Sequence, residues 1–404
     1  MSFDSPMISV DEALRRVVSA APPIGCESLP LAVARGRVLS ADVYTHHAMP
    51  SFTQSAVDGY AVRHADLHVL PCTLPLGPPI AARAHAELPV LPSAGAVRIL
   101  TGGLLPYGAD TVVRQEHTEH TADAVKILHE VAAGADIRHA GEEMPPGARL
   151  AVAGQLVTPG LIGALALAGV DQVPVWRLPR VIVLVTGDEL VPAGTCLKLG
   201  QVPDANGPML QAFLSAWGVP PLRIEAVADN QPAVRNALTR AFADADLVLT
   251  TGGVSVGDHD YVPAVAEALG SQRVLWKVAQ KPGMPLYVAR HRDTLLFGLP
   301  GNPASVLVNL LVYVRAALDN KQGLDPQSRW HPISMREQPK RDALKTLWLR
   351  AIHRSTDELL PSAHILQGQA SHMLGNLAEA NLLLRVQPQS QSIPGGNNLC
   401  CVIQ

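Results

Sequence analysis

The chain has 404 residues, which is too long for a single compact core, so we expect two or more domains. A formal net charge of −3 and an aromatic content of only 4% argue against a nucleic-acid-binding surface. Five scattered cysteines without a Cys-x-x-Cys pair suit a reducing compartment, and the apolar stretches fall short of the ~18 to 20 residues of a membrane span. We therefore expect a soluble, cytoplasmic protein with no nucleic-acid or membrane partner.

The first 178 residues predict two kinds of structure. A capping box at Ser9–Glu12 begins a helix, and residues 150–175 are apolar and helix-like again. Residues 40–140 predict short strands separated by proline-rich loops. We expect a discontinuous N-terminal helical and linker domain at residues 1–43 and 147–178, which flanks a β-rich inserted lobe at residues 44–146.

Strands and helices alternate from residue 179 to 327, which is typical of a doubly wound α/β domain. The strands are predicted at Val181–Val185, Arg223–Ala228, Leu247–Thr250, Arg273–Val278 and Thr294–Gly298. The helices are predicted at Gly207–Trp217, Gln231–Ala243, Tyr261–Leu269 and Asn302–Leu318. Residues 328–404 predict only short strands, so the C-terminal domain is expected to be a small β barrel.

Charged groups follow the predicted strands of the α/β domain, and ligands of open α/β sheets bind at the carboxyl ends of strands. Carboxylates that converge there repel one another unless a cation joins them, and Mg²⁺ prefers such oxygen ligands. For each carboxylate taken singly, helix capping is the better explanation, but together with two lysines the set favours a metal-phosphate site. The carboxylates are Asp188, Glu189, Asp229 and Asp260, and the lysines are Lys277 and Lys281.

Two glycine-containing loops add to this site. The loop with Gly252, Gly253, Ser255 and Gly257 can turn backbone N–H groups toward an anion, although a tight turn without a ligand explains it equally well. In the segment Pro300–Pro303, Asn302 can cap a helix, Gly301 lets the backbone approach a ligand, and Ser305 follows in the first turn. We interpret both loops as parts of one ligand site.

Six motifs in this order resemble the molybdopterin molybdenumtransferase family, which includes the gephyrin E domain. They span about 250 residues: Ser55–Val62, Thr101–Gly103, Gly141–Glu143, Thr186–Leu190, Gly252–Gly257 and Pro300–Pro303. The resemblance implies an elongated homodimer with a molybdopterin-binding α/β domain. It implies an Mg²⁺-dependent enzyme that inserts molybdate into the dithiolene of adenylylated molybdopterin and releases AMP, with the molybdopterin adenylyltransferase as a further partner.

The resemblance also assigns roles to residues by position. The cleft would be lined by Asp58, Thr101, Glu143, Asp188, Glu189, Asp229 and Asp260, with Glu189, Asp229 and Asp260 as metal ligands. The glycine loop, Lys277, Pro300, Gly301 and Asn302 would contact the pterin nucleotide. The molybdate oxyanion would be held by Lys281, Ser305, Arg350 and Ser371.

Two residues depart from the family pattern. Glu143 stands where the family usually has aspartate, and Met284 stands where it usually has a second lysine. The loss of that cation predicts weaker molybdate binding, unless another cation takes over and Met284 is only an apolar filler. A paralogue with an altered substrate, a non-catalytic dimeric pterin-binding scaffold and a pterin-binding adenylyltransferase stay open as alternatives.

Overall fold

The computed structural model describes residues 7–80, 82–84, 87–254, 261–335, 339–353, 362–391 and 398–403. The chain folds into two compact units. The first, called here the α/β-barrel unit, contains Met1–Glu27 and Trp176–Gln404, and the second, the inserted unit, contains Ser28–Val175. Among the described residues, no helix is long and apolar enough to cross a membrane.

A six-stranded sheet forms the centre of the α/β-barrel unit. Its strands lie in the order Arg223–Val227, Val181–Thr186, Leu247–Thr251, Thr294–Leu299, Tyr287–His291 and Gln272–Trp276. The first four are parallel, while Tyr287–His291 runs antiparallel to both of its neighbours. The last strand therefore points the same way as the first four, and the carboxyl ends of five strands meet at one edge.

Helices cover both faces of this sheet. Val181, Val183 and Val185 share a core with the helices Val10–Ala20, Asn206–Ala216 and those between residues 303 and 321. The alternate residues Ile182 and Leu184 pack with the helices Gln231–Asp244 and Tyr261–Ala268. Because successive side chains of a strand point to opposite faces, the continuous apolar run Val181–Val185 fits a strand that is buried on both sides. The doubly wound fold is confirmed.

A small closed barrel follows the α/β sheet. Its strands lie in the order Thr346–His353, Ser362–Ile365, His331–Met335, Asn398–Val402 and Leu382–Val386, and the last pairs back with the first. The short strand Gln280–Lys281 adds to the barrel beside Thr346–His353. A short helix at Pro326–Arg329 and another at Gly375–Ala378 complete this part.

The inserted unit is rich in β structure, as predicted. Its largest sheet has the order Thr111–Arg114, Gly59–Val62, Ala96–Ile99, Cys72–Ile80, Ala124–Ile127 and Thr118–His120. Pairs of short strands join Gln54–Ser55 to Ile137–Arg138 and Val43–Tyr44 to Arg149–Ala151. The helix Pro159–Leu167 begins at Thr158, whose side chain accepts a hydrogen bond from the Leu161 N–H. Further strands lie at Cys26–Pro30 and Gln172–Trp176.

Three features differ from the sequence expectations. The strand Tyr287–His291 was not predicted. The long helix after Pro300 starts at Pro303 and continues to Lys321 through a π-helical turn at Leu310–Val314. The opening helix Val10–Ala20 packs with the α/β sheet rather than with the linker segment. The four domain boundaries themselves stay a prediction.

Candidate functional site

The loops at the carboxyl edge of the α/β sheet are tied to one another by hydrogen bonds. The Thr186 hydroxyl donates to the Thr251 carbonyl over 2.9 Å, and the Gly252 N–H donates to the Leu299 carbonyl over 3.0 Å. These bonds extend the ladder of the three central strands into their loops. The starts of these loops are therefore held in a fixed arrangement at the edge.

Gly252 and Gly253 both adopt the left-handed backbone conformation, with φ of +85° and +65°. A Cβ atom on Gly252 would lie 2.6 Å from the Thr186 hydroxyl oxygen and 2.8 Å from its carbonyl oxygen. Glycine is therefore needed here for the close approach of two loops as well as for the backbone conformation. Ser255, Gly257 and Asp260 of the same loop lie outside the described residues.

Two of the four predicted acidic residues, Asp188 and Asp229, are joined by a hydrogen bond to the backbone of Asp229. The Asp188 carboxylate accepts a hydrogen bond from the Asp229 N–H over 3.1 Å, and both Asp188 and Glu189 are exposed at the edge. Within the described ranges, no three His, Cys, Asp or Glu side chains gather into a metal site. The donor set is nevertheless the oxygen type that suits Mg²⁺, which commonly binds one or two carboxylates and takes its other ligands from phosphate and water.

Asp188 does not cap a helix, which was the alternative explanation for it. The first N–H groups of the next helix, those of Asn206 and Gly207, donate instead to the carboxylate of Asp204, which precedes the N-cap residue Ala205. The Asn206 side chain is buried and donates to the Gly301 carbonyl over 2.8 Å. Its amide thus joins the start of the helix Asn206–Ala216 to the loop that follows the strand Thr294–Leu299.

Asn302 occupies the N-cap position before Pro303, but its side chain makes no capping hydrogen bond, contrary to the sequence expectation. Its amide nitrogen donates instead to the Ser371 hydroxyl of the barrel over 3.2 Å. The amide oxygen is buried and has no hydrogen-bond partner among the described residues. Asn302 therefore connects the carboxyl edge of the sheet to the barrel and presents an unused acceptor.

A cavity of about 260 Å³ lies between the loop that contains Lys281 and the barrel, and we call it the lysine cavity. Three residues that the resemblance assigned to the oxyanion line it: Lys281, Ser305 and Ser371. Its wall also contains Gln280, Pro282, Gly283, Met284, Pro285, Lys345 and Gln369. The α/β sheet and the barrel thus bring one predicted lysine and two predicted hydroxyls together.

Sequence reasoning missed a buried polar network that holds the Lys281 loop. The Gln280 amide nitrogen donates to the Gly283 carbonyl and to the Asn309 side-chain oxygen, each over 2.8 Å. Its amide oxygen accepts from the Tyr313 hydroxyl over 2.6 Å and from the Trp348 ring N–H over 2.9 Å. A buried, fully satisfied amide of this kind fixes its surroundings in one arrangement. No local motif announces it, because its partners come from distant parts of the chain.

Arg350 is buried beneath the loop that contains Ser371 and does not line the lysine cavity. Its guanidinium donates to the carbonyls of Gly368, Ala370 and Met373. Burial lowers the pKa of the Arg350 guanidinium from its ordinary value. The described contacts therefore fit a residue that positions Ser371, and direct contact between Arg350 and an oxyanion stays a prediction.

Lys277 lies immediately after the last strand of the sheet, with a φ of +65°. Its ammonium group sits 5.7 Å from the centre of the Trp276 ring, a cation–π contact. Because that strand points the same way as the parallel ones, Lys277 lies at the same edge of the sheet as Asp188 and Gly252.

Asp58, Thr101 and Glu143 lie in the inserted unit. The Asp58 carboxylate accepts hydrogen bonds from the N–H and the hydroxyl of Thr101, over 2.7 and 2.8 Å, and the Thr101 N–H lowers the pKa of that carboxyl. Glu143 is exposed. A larger cavity of about 580 Å³ in this unit is lined by none of the predicted site residues.

Comparison with known proteins identifies the family of the chain. A model of the MoeA N-terminal region (domain I and II) matches residues 8–169, and a model of a probable molybdopterin binding domain matches residues 182–320. Molybdopterin molybdenumtransferase 2 of Mycobacterium tuberculosis is 34% identical over 97% of this chain and 98% of its own length. The molybdopterin molybdenumtransferase of Haemophilus influenzae is 31% identical, with the same coverage of both chains.

A solved structure, the molybdopterin biosynthesis MoeA protein of Pyrococcus horikoshii, has the same fold. It superimposes with a TM-score of 0.80 and 23% identity, covering 98% of this chain and 100% of the other. The family resemblance inferred from the six motifs is confirmed by relatives that match almost from end to end. The chain belongs to the molybdopterin molybdenumtransferase family.

Proposed function

We propose that the protein inserts molybdate into the dithiolene of adenylylated molybdopterin, in molybdenum cofactor biosynthesis, and releases AMP. The observation that carries the proposal is the lysine cavity, in which Lys281, Ser305 and Ser371 converge beside the carboxyl edge of the sheet. An oxyanion that enters a cavity loses hydration and must gain fixed donors and positive charge in return. One ammonium group and two hydroxyls supply both.

The roles of the remaining residues follow from position at the same edge for the described residues, and from the family resemblance alone for Asp260. Backbone N–H groups of the loop that begins at Gly252 would face the phosphates, as in other anion-binding nests. Asp188, Glu189, Asp229 and Asp260 would hold Mg²⁺ with the substrate diphosphate, whose charge the bound metal partly neutralises. Lys277 would add a second cation at this edge, and Asn302 would orient the Ser371 hydroxyl toward the oxyanion.

The proposal extends to the working assembly. The family resemblance places residues such as Asp58 and Thr101 in a cleft between subunits, so we propose a homodimer in the cytoplasm that receives its pterin from the molybdopterin adenylyltransferase. Sedimentation at micromolar concentration should give twice the mass of one chain. A monomer with full activity would exclude the dimer as the working unit.

The test is an assay of AMP release from adenylylated molybdopterin with molybdate, in excess Mg²⁺ and again in EDTA. We expect molybdate-dependent AMP formation that EDTA abolishes and that Asp229→Ala greatly reduces. Asp244→Ala removes an exposed carboxylate elsewhere in the same unit and should leave turnover unchanged. A protein that binds the pterin nucleotide without releasing AMP would be a scaffold. Full activity in EDTA would show that the reaction does not depend on Mg²⁺.

A further inference from the structure

The lysine cavity carries a second lysine that the motif comparison did not assign. The resemblance left a cation missing at Met284, yet Lys345 of the barrel lines the same cavity. We propose that Lys345 supplies the second positive charge that an oxyanion in this cavity requires. The inference rests on the proposed function, because it concerns the same cavity and the same ligand class.

Strand pairing brings the segment that contains Lys345 next to Lys281. In the parallel pair formed by Gln280–Lys281 and Thr346–His353, Lys281 is the partner of Leu347. Lys345 lies one residue before the strand Thr346–His353, so the pairing brings the two lysines close together along neighbouring segments. Both lysines line the cavity.

The backbone around Lys345 is fixed on both sides. The Lys345 N–H donates to the Asp342 carboxylate over 2.9 Å, and the next N–H, that of Thr346, donates to the Ala279 carbonyl over 3.0 Å. Lys345 is itself half-buried. Its side chain therefore starts from a defined point in the cavity wall, unlike that of a lysine on an open surface loop.

The Asp342 carboxylate lies near both lysines. The N–H groups of Leu344 and Lys345 lower the pKa of the Asp342 carboxyl, and the charges of Lys345 and Lys281 lower it further. Among the described residues, neither ammonium group forms a direct ion pair with a carboxylate. The two cations exceed the single negative charge of Asp342 by one, so this part of the cavity lining keeps a net positive charge toward an oxyanion.

The test is calorimetric titration of the full chain with sodium molybdate alone. Lys345→Met should weaken molybdate binding by about ten- to thirty-fold, since a half-buried charge keeps part of its Coulomb attraction after desolvation. Lys340→Met, which removes an exposed lysine of the same segment that does not line the cavity, should change the affinity less than two-fold. Met284→Lys placed in the Lys345→Met background should restore most of the loss.

The outcomes separate this inference from the proposed function. If Lys281→Met weakens molybdate binding and Lys345→Met does not, the inference is wrong while the cavity remains the oxyanion site. If neither variant changes the affinity, the cavity does not bind molybdate and both proposals fail. Restoration by Met284→Lys supports the inference directly, because a folding defect in Lys345→Met would not respond to a lysine placed at another position of the cavity lining.

Discussion

Gln280 is the residue whose replacement should do most to loosen the candidate site. Its amide makes four buried hydrogen bonds, to Gly283, Asn309, Tyr313 and Trp348. The change Gln280→Leu keeps the side-chain volume roughly constant but removes all four hydrogen bonds and leaves the partner groups unpaired. It tests whether the network, rather than apolar packing alone, holds the Lys281 loop against the barrel.

The expected magnitude follows from the groups that are left behind. A buried polar group that loses its partner costs about 1 to 3 kcal/mol, and four such groups are stranded together. Some will find new partners after relaxation, so we expect a loss of about 4 kcal/mol in the free energy of unfolding. Because a domain is stable by only about 5 to 15 kcal/mol, this is a large fraction of the total.

Hydrogen exchange at rising urea concentration, read by mass spectrometry, measures the effect locally. The peptides that cover residues 278–285 and 346–353 should lose protection at much lower urea than in the native chain. The matched control is Gln211→Leu, since Gln211 is an exposed helical glutamine with a single side-chain bond to Ser215. That variant should stay within ~0.5 kcal/mol of the native chain. Equal protection in Gln280→Leu and Gln211→Leu would refute the reasoning.

Three further predictions concern charge and backbone. Burial raises the pKa of the Asp246 carboxyl, but hydrogen bonds from two arginines outweigh burial and lower it to about 2, below its ordinary 3.8. The ionised carboxylate therefore adds about 2 kcal/mol to the free energy of unfolding above pH ~4, and this contribution is lost as the pH falls toward 2. In urea unfolding, the free energies of the native protein and of Asp246→Asn should differ at pH 7 and converge near pH 2. Asp342→Asn keeps the acceptor for its turn but removes a negative charge beside both cavity lysines, so calorimetry should show molybdate binding several-fold tighter; weaker binding would contradict this. Gly252→Ala should lower the free energy of unfolding by ~2 kcal/mol or more and abolish pterin-nucleotide binding, because the added Cβ meets Thr186. The control is Gly218→Ala: Gly218 has a similar φ but open space around it, so this change should lower the free energy of unfolding by only ~1 kcal/mol, from backbone strain.

The sequence predicted those elements whose signal is local. The run Val181–Val185 is apolar at every position, which a strand covered on both faces requires. The strand Tyr287–His291 was missed because its hairpin turn contains no glycine or asparagine. The positive φ of the turn is adopted by Arg292, and arginine rarely takes this conformation. The antiparallel part of the sheet could therefore not be read from the turn chemistry.

Site residues divide in the same way. Lys281, Ser305 and Ser371 were found through motifs and positions along the chain, and the structure brings them to one cavity. Gln280 and Lys345 were not found, because their meaning depends on the pairing of two strands about 65 residues apart in sequence. A capping motif does not reveal that kind of long-range register.

The most direct test of the account follows molybdenum itself. Purified protein is incubated with adenylylated molybdopterin and molybdate, the pterin product is separated by chromatography, and its molybdenum is measured by mass spectrometry beside the AMP released. The account predicts molybdenum in the pterin fraction in equal amount to AMP, with both lost in Lys281→Met. AMP release without molybdenum in the pterin, or equal incorporation by Lys281→Met, would contradict it.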